Sequence, residues 1–152
     1  MKGSGIDLVM HFAAIAYVSE SVKNPLKYYQ NITTSTVNLL DCMGESGVSN
    51  LVYSSTCATY GNPSELPITE STTPQPVNPY GKAKLMSEDI IRDLAKSNPD
   101  FKVGILRYFN VYGSDESGTQ LHTFIFYLFL LFLFSLSPTF GYEVRWECVW
   151  LI

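Results

Sequence analysis

The chain has 152 residues and a formal net charge of −4 at pH 7. That length allows one domain with a real core, and an acidic balance without a Lys/Arg cluster argues against nucleic-acid binding, which needs a concentrated basic face. Cys42, Cys57 and Cys148 are far apart and odd in number, and His11 and His122 stand isolated from other ligand types, so neither a disulfide framework nor a metal site is expected.

Residues Gly5 to Ala14 predict a buried strand: Ile6, Leu8, Val9, Met10 and Phe12 make a nearly continuous apolar run, as in a parallel-sheet interior. The small residues Ala13, Ala14 and Ala16 follow. They fit a tight turn, and equally the close approach of a ligand to the carboxyl end of a strand. Ser19 to Gly44 predicts helix in two pieces, broken at Asn24-Pro25, with Gly44 or Gly47 ending it. Asn31 lies in this stretch and is free to face solvent or a ligand.

Asn50 to Ser55 predicts a second strand, which stops in Ser54-Ser55-Thr56-Cys57-Ala58-Thr59-Tyr60-Gly61. Those hydroxyls read either as a polar strand-to-loop transition or as groups aimed at a bound sugar or cofactor. Asn62 to Asn78 is a Pro-, Ser- and Thr-rich loop, long enough to suggest function or mobility.

Pro79 suits the first turn of a helix predicted over Tyr80 to Lys96, with Leu85, Ile90, Ile91, Leu94 and Ala95 as its buried face. Tyr80 and Lys84 are four residues apart, so they share one face of it. An ammonium beside a phenol favours the phenolate, which predicts a Tyr80 pKa drawn down towards neutrality and a group able to exchange protons there. Taken alone, the same spacing also fits an ordinary solvated helix face. Phe101 to Tyr108 predicts a third strand. The resulting β-α-β-loop-α-β order implies a parallel sheet with right-handed crossovers.

After Gly118 the character changes. Leu121 to Leu136 is almost wholly apolar without a helical or strand period, and is shorter than the roughly 20 residues a spanning helix prefers. Translated non-coding sequence is the expected origin, and a membrane anchor is the alternative.

Four stretches together resemble the extended short-chain dehydrogenase/reductase superfamily and its NAD-dependent epimerase/dehydratase family. They are Met10-His11-Phe12-Ala13-Ala14, Tyr53 to Gly61, Asn78-Pro79-Tyr80-Gly81-Lys82-Ala83-Lys84, and Leu106-Arg107-Tyr108-Phe109-Asn110-Val111-Tyr112-Gly113. The wording Ser-Ser-Thr-Cys-Ala-Thr-Tyr-Gly, with Pro67-Ile68-Thr69-Glu70, is most similar to plant UDP-arabinose (UDP-xylose) 4-epimerases and UDP-glucose 4-epimerases. The resemblance covers about residues 5 to 115. It implies an α/β fold, the second half of a Rossmann-like doubly wound parallel sheet. Residues 1–118 would form this partial nucleotide-binding domain, and residues 119–152 an unrelated apolar tail.

The resemblance also implies NAD as cofactor, a UDP-sugar as substrate and a homodimer in the complete family. It makes Tyr80 the acid/base, Lys84 the lysine that holds the nicotinamide ribose and lowers the tyrosine pKa, and Thr56 the hydrogen-bond partner of the sugar 4-hydroxyl. Phe12, Ala13, Ala14, Asn31, Ser54 and Tyr108, with Tyr80 and Lys84, become cofactor-binding positions, while Phe109 and Asn110, with Thr56, become substrate-binding ones. The chemistry implied is reversible oxidation at C4 of the sugar, with hydride returned to the other face of a 4-keto sugar.

Departures matter too. Ala16 stands where these epimerases often have Lys. No Gly-x-x-Gly-x-x-Gly turn precedes Gly5, so the chain by itself is expected to be truncated and inactive. Two alternatives remain at this point. One is a sugar-nucleotide dehydratase or decarboxylase of the same superfamily, which Cys57 and Ala58 disfavour, since those relatives usually carry acidic residues there. The other is a non-enzymatic, membrane-associated fragment. No secretory signal is legible near the start. The expected location is cytoplasmic, or a Golgi membrane if a complete form carries an N-terminal anchor.

Overall fold

The computed structural model describes residues 5–109. Within them three parallel strands lie in sequence order: β1 (Val9–His11), β2 (Asn50–Ser54) and β3 (Lys102–Leu106). The register sets Val9 beside Leu51 and Leu51 beside Val103, and two residues on His11 beside Tyr53 and Tyr53 beside Ile105. Side chains alternate along a strand, so Val9, Leu51, Tyr53, Val103 and Ile105 share one face. Leu40 and Met43 from α3 (Ser35–Ser46) and Ile91 from α4 (Pro79–Ser97) close over that face with Phe101. Both crossovers therefore cover the same side of the sheet. Met43, Leu51 and Ile91 are almost fully buried, each worth about 1.5–3 kcal/mol of apolar transfer.

The first strand is shorter than its apolar run suggests. Ile6 and Leu8 are each 42% exposed, and the ladder begins only at Val9. Just before it, Asn50 Nδ2 donates to the Asp7 carbonyl at 2.8 Å, a side-chain bond where a further ladder bond would otherwise form. β3 likewise spans five residues, not eight, with pairing continued past β2 by Ser55 N–H to Leu106 O and Cys57 N–H to Tyr108 O, both 2.8 Å.

Between β1 and β2 the chain does break at Asn24. Helix α1 (Val18–Lys23) ends there, and Pro25 opens α2 (Pro25–Tyr28) at its first position, where a missing N–H costs nothing. A π-helical turn, Tyr29–Thr34, then joins α2 to α3. It widens the helix under α4: Tyr28 and Ile32 are buried against Tyr80 and Ala83, and Thr33 Oγ1 donates to the Ala83 carbonyl at 3.1 Å. Gly47, at φ 72°, ends α3 in the left-handed conformation glycine adopts without strain. Asn78 caps α4 by accepting from Gly81 N–H at 2.8 Å. No helix among the described residues is long and apolar enough to cross a membrane. The apolar stretch 121–136, Asn110 and the tail as a whole lie outside the described residues.

Candidate functional site

The carboxyl ends of the three strands and the start of α4 converge on one place. Lys84, buried on α4, gives an N–H to the Ser54 carbonyl at 2.6 Å, and its Nζ lies 4.9 Å from the centroid of the Tyr53 ring. Tyr80, one turn earlier, is 9% exposed and packs edge-on against Tyr28, ring centroids 6.4 Å apart. Thr56 opens a short 3-10 turn, Cys57–Thr59, its Oγ1 accepting from Ala58 N–H at 3.1 Å while it interacts with the Tyr80 phenol.

The start of α4 lies this close because residue 81 is glycine. A Cβ there would stand 2.6 Å from the Ala58 carbonyl oxygen. Gly81 thus keeps Tyr80 beside the turn that carries Thr56.

The electrostatics differ from the expectation that Lys84 draws the Tyr80 phenol towards neutrality. Burial instead pushes that phenol above its ordinary value, with the Thr56 hydroxyl opposing and Cys57 adding to the rise. The Lys84 ammonium is turned to the Ser54 carbonyl and the Tyr53 ring face. Burial holds Lys84 itself down at about 8, against an upward pull from Glu88. His11, its ring tilted 42° against Tyr53 at 5.7 Å between centroids, is also lowered, by burial first and the Lys84 charge second.

The other candidate positions surround this group. Ala14 packs against the cluster of Tyr28, Ile32, Tyr80 and Ala83. Asn31, in the π-helical turn, accepts the Ile15 N–H on Oδ1 at 2.8 Å, so it fixes the loop after β1. Phe12 is half-buried and Ala13 exposed in that same loop. Tyr108 follows β3, its phenol pushed up to about 12 by burial, and half-buried Phe109 comes next. Asn110 is outside the described residues, so its placement is not part of this geometry. Among the described residues no three His, Cys, Asp or Glu side chains gather as metal ligands.

The α4 face toward the sheet is more polar than its apolar pattern suggested. Lys84, Ser87 and Glu88 are buried there, and Leu85 is only half-buried. Glu88 accepts from Arg107 Nε at 2.9 Å, from Arg107 Nη2 at 2.6 Å, from Arg92 Nη2 at 2.7 Å and from the Ser55 hydroxyl. Burial alone would raise the Glu88 carboxyl; Arg107, Ser55 and Arg92 outweigh it and hold the group below the usual carboxylate range. Neither Glu88 nor Arg107 stood out in the sequence, although Glu88 continues the four-residue spacing of Tyr80 and Lys84.

Comparison with known proteins places these features in a family. The family model for the NAD dependent epimerase/dehydratase family matches residues 1–133. UDP-arabinose 4-epimerase 1 of Arabidopsis thaliana is 61% identical over 115 residues, covering 76% of this chain and 27% of the relative. Probable UDP-arabinose 4-epimerase 3 of Oryza sativa subsp. japonica is 58% identical over 115 residues, covering 76% and 28%. Among solved structures, UDP-glucose 4-epimerase from Bifidobacterium longum in complex with NAD+ and UDP superposes with a TM-score of 0.73 at 45% identity, covering 76% of this chain and 35% of that one. The chain thus spans about a quarter of the length of the curated relatives and about a third of that structure. With its Rossmann-like parallel sheet and the Tyr80, Lys84 and Thr56 motifs at the strand ends, the chain belongs to the NAD dependent epimerase/dehydratase family.

Proposed function

We propose that the protein takes part in the NAD-dependent 4-epimerisation of a UDP-sugar, of the UDP-arabinose/UDP-xylose or UDP-glucose/UDP-galactose type. The observation that carries this reading is the convergence of Tyr80, Thr56 and Lys84 at the strand ends, two of them on one helix turn. Relatives named for UDP-arabinose and UDP-glucose 4-epimerisation support the sugar class.

The residues fit a dinucleotide cofactor in part. Lys84 offers an ammonium with three donors, one of them given to Ser54 O. Ala13 and Ala14 carry only methyl groups in the loop after β1, and Asn31 fixes that loop through the Ile15 N–H. Phe12, Ala13, Ala14, Asn31, Ser54, Lys84 and Tyr108 would hold NAD, which when bound supplies the hydride acceptor and donor. Tyr80 exchanges the proton of the sugar 4-hydroxyl, Thr56 hydrogen-bonds that hydroxyl, and Phe109 and Asn110 bound the sugar site. A phenol raised by burial is a stronger base once ionised, and Lys84 is the nearby charge able to offset the phenolate. Cys57 and Ala58 supply no acid–base pair for elimination, which disfavours the dehydratase chemistry of the same family.

For the complete protein we propose a homodimer in the cytoplasm. The exposed Val18, Val22, Leu26 and Met86 support the dimer, since they lie on α1, α2 and α4, helices in contact with one another. Sedimentation of the complete protein as a monomer at micromolar concentration would remove the dimer.

The direct test of function is to graft residues 5–115 in place of the matched segment of the Arabidopsis UDP-arabinose 4-epimerase 1 and follow UDP-sugar interconversion by chromatography. A soluble, NAD-loaded chimera without turnover would count against the reading. Lys84→Met in the chimera is expected to weaken NAD retention while making the fold more stable. The folded Lys84 pKa, about 8, lies below its ordinary 10.5. The charged lysine therefore costs folding stability in full below about pH 8, and stability should rise with pH from about 8 to 10.5 as that cost is relieved. Methionine avoids that cost, for a gain of roughly 1–2 kcal/mol at pH 7 after the Ser54 bond is lost. Urea unfolding and cofactor content measure the two effects; unchanged values for both would remove the assigned role.

A further inference from the structure

The helix face that carries Tyr80 and Lys84 continues one turn further to Glu88. Glu88 is fully buried, and its carboxylate takes four hydrogen bonds from three side chains: two from Arg107, one from Arg92 and one from Ser55. As packing alone this is an expensive choice. Taking a carboxylate out of water costs several kcal/mol, and apolar residues of the same volume often hold a fold as well or better.

What the carboxylate touches gives it another role. Ser55 stands between Ser54, whose carbonyl receives the Lys84 N–H, and Thr56, which meets the Tyr80 phenol. Arg107 follows Leu106, whose carbonyl accepts the Ser55 N–H at 2.8 Å. Glu88 thus ties the ends of β2 and β3 directly beneath the reaction centre. It also faces Lys84 as an anion. The other groups around Lys84 are His11 from β1, the Tyr53 ring from β2 and Tyr80 on the same helix, while Arg107, past the end of β3, is turned to Glu88.

We propose that Glu88 is a positioning residue for the reaction centre: its carboxylate lies one helix turn beyond Lys84 and, through Ser55, fixes the Ser54 carbonyl that holds the Lys84 ammonium in place. The proposal rests on the catalytic reading of Tyr80 and Lys84 for its consequence in turnover, but not for its effect on Lys84.

The experiment follows the Lys84 side chain by ¹³Cε NMR against pH, in the 152-residue chain and in the grafted epimerase. Glu88→Gln should lower the Lys84 midpoint by about one pH unit, the size of a Coulomb interaction across one helix turn in a partly screened interior. Glu88→Asp, which keeps the charge, should restore most of it. A role in packing alone predicts loss of stability with the midpoint unmoved, and that result in folded Glu88→Gln protein overturns the proposal. Should Glu88→Gln strand Arg107 and fail to fold, Ser55→Ala cuts the link from Glu88 to the Ser54 carbonyl while leaving the Arg107–Glu88 pair in place and must still lower the Lys84 midpoint; an unshifted midpoint there overturns it equally. In the grafted epimerase, Glu88→Gln should lower kcat about tenfold with KM nearly unchanged. Full turnover in Lys84→Met, together with a Glu88-dependent Lys84 midpoint in the protein that keeps Lys84, would instead sink the catalytic reading and leave the electrostatic one standing.

Discussion

Tyr80→Phe in the grafted epimerase is expected to cut UDP-sugar interconversion by about 10²–10⁴-fold, the usual contribution of a positioned proton-transfer group, and to leave NAD bound. The substitution removes one oxygen and little else. The ring that meets Tyr28 edge-on at 6.4 Å is kept, and so is its place against Ile32, Ala83 and Ala14. Burial raises this phenol above its ordinary value, so it is neutral at pH 7 and phenylalanine gives up only its contact with the Thr56 hydroxyl, about 0.5–1.5 kcal/mol. Activity loss would then report proton transfer rather than damage to the fold. Turnover within about a factor of two of the unmodified chimera would show that Tyr80 does not carry the proton.

Much of this arrangement was legible in the sequence because it depends on spacing. Tyr80 and Lys84 share a face on any α-helix, Asn78-Pro79 marks where that helix begins, and the apolar runs around Val9, Val52 and Ile105 read as parallel strands. The charge states were not legible. They follow from burial, which depends on the sheet beneath α4, and from the competing carbonyl of Ser54, which faces Lys84 only after β2 and α4 have packed. The Glu88 network stayed hidden for a related reason. A helical pattern is searched for apolar residues, whereas this helix turns Lys84, Ser87 and Glu88 inward, a face whose partner, Arg107, lies nineteen residues on from Glu88. The π-helical turn at Tyr29–Thr34 left no signature either, because the same residues satisfy an α-helical period; packing of Tyr28 and Ile32 against Tyr80 and Ala83 decides it. At β1 the error ran the other way. An apolar run overstated the strand, because its length is set by where β2 begins.

Arg107→Ala is expected to be the most destabilising single change among the charged residues described, at about 3–5 kcal/mol, because it removes one partner of a buried ion pair and leaves the other in place. The Arg107 side chain is 10% exposed and that of Glu88 is 0% exposed, and the guanidinium also stacks 4.7 Å from the Tyr60 ring centroid. Lysine would not rescue it, since a single ammonium can make neither the two-pronged contact nor the same stacking. The pH dependence gives the prediction its sharper edge. In the intact protein the folded Glu88 carboxyl titrates below its unfolded value, so its contribution is present at neutral pH and is lost as pH falls through the folded pKa. Without Arg107 the burial penalty is met only by Ser55 and by Arg92, whose side chain is 41% exposed. The Glu88 pKa then rises, and a buried acid with a raised pKa is best tolerated protonated, so the variant loses stability as pH climbs from about 4 to 7. Urea unfolding at pH 5 and pH 7 tests this: the gap between the intact protein and Arg107→Ala should widen at the higher pH. A gap under about 1 kcal/mol, or one that narrows towards neutrality, would mean that Glu88 is not held as a carboxylate by Arg107.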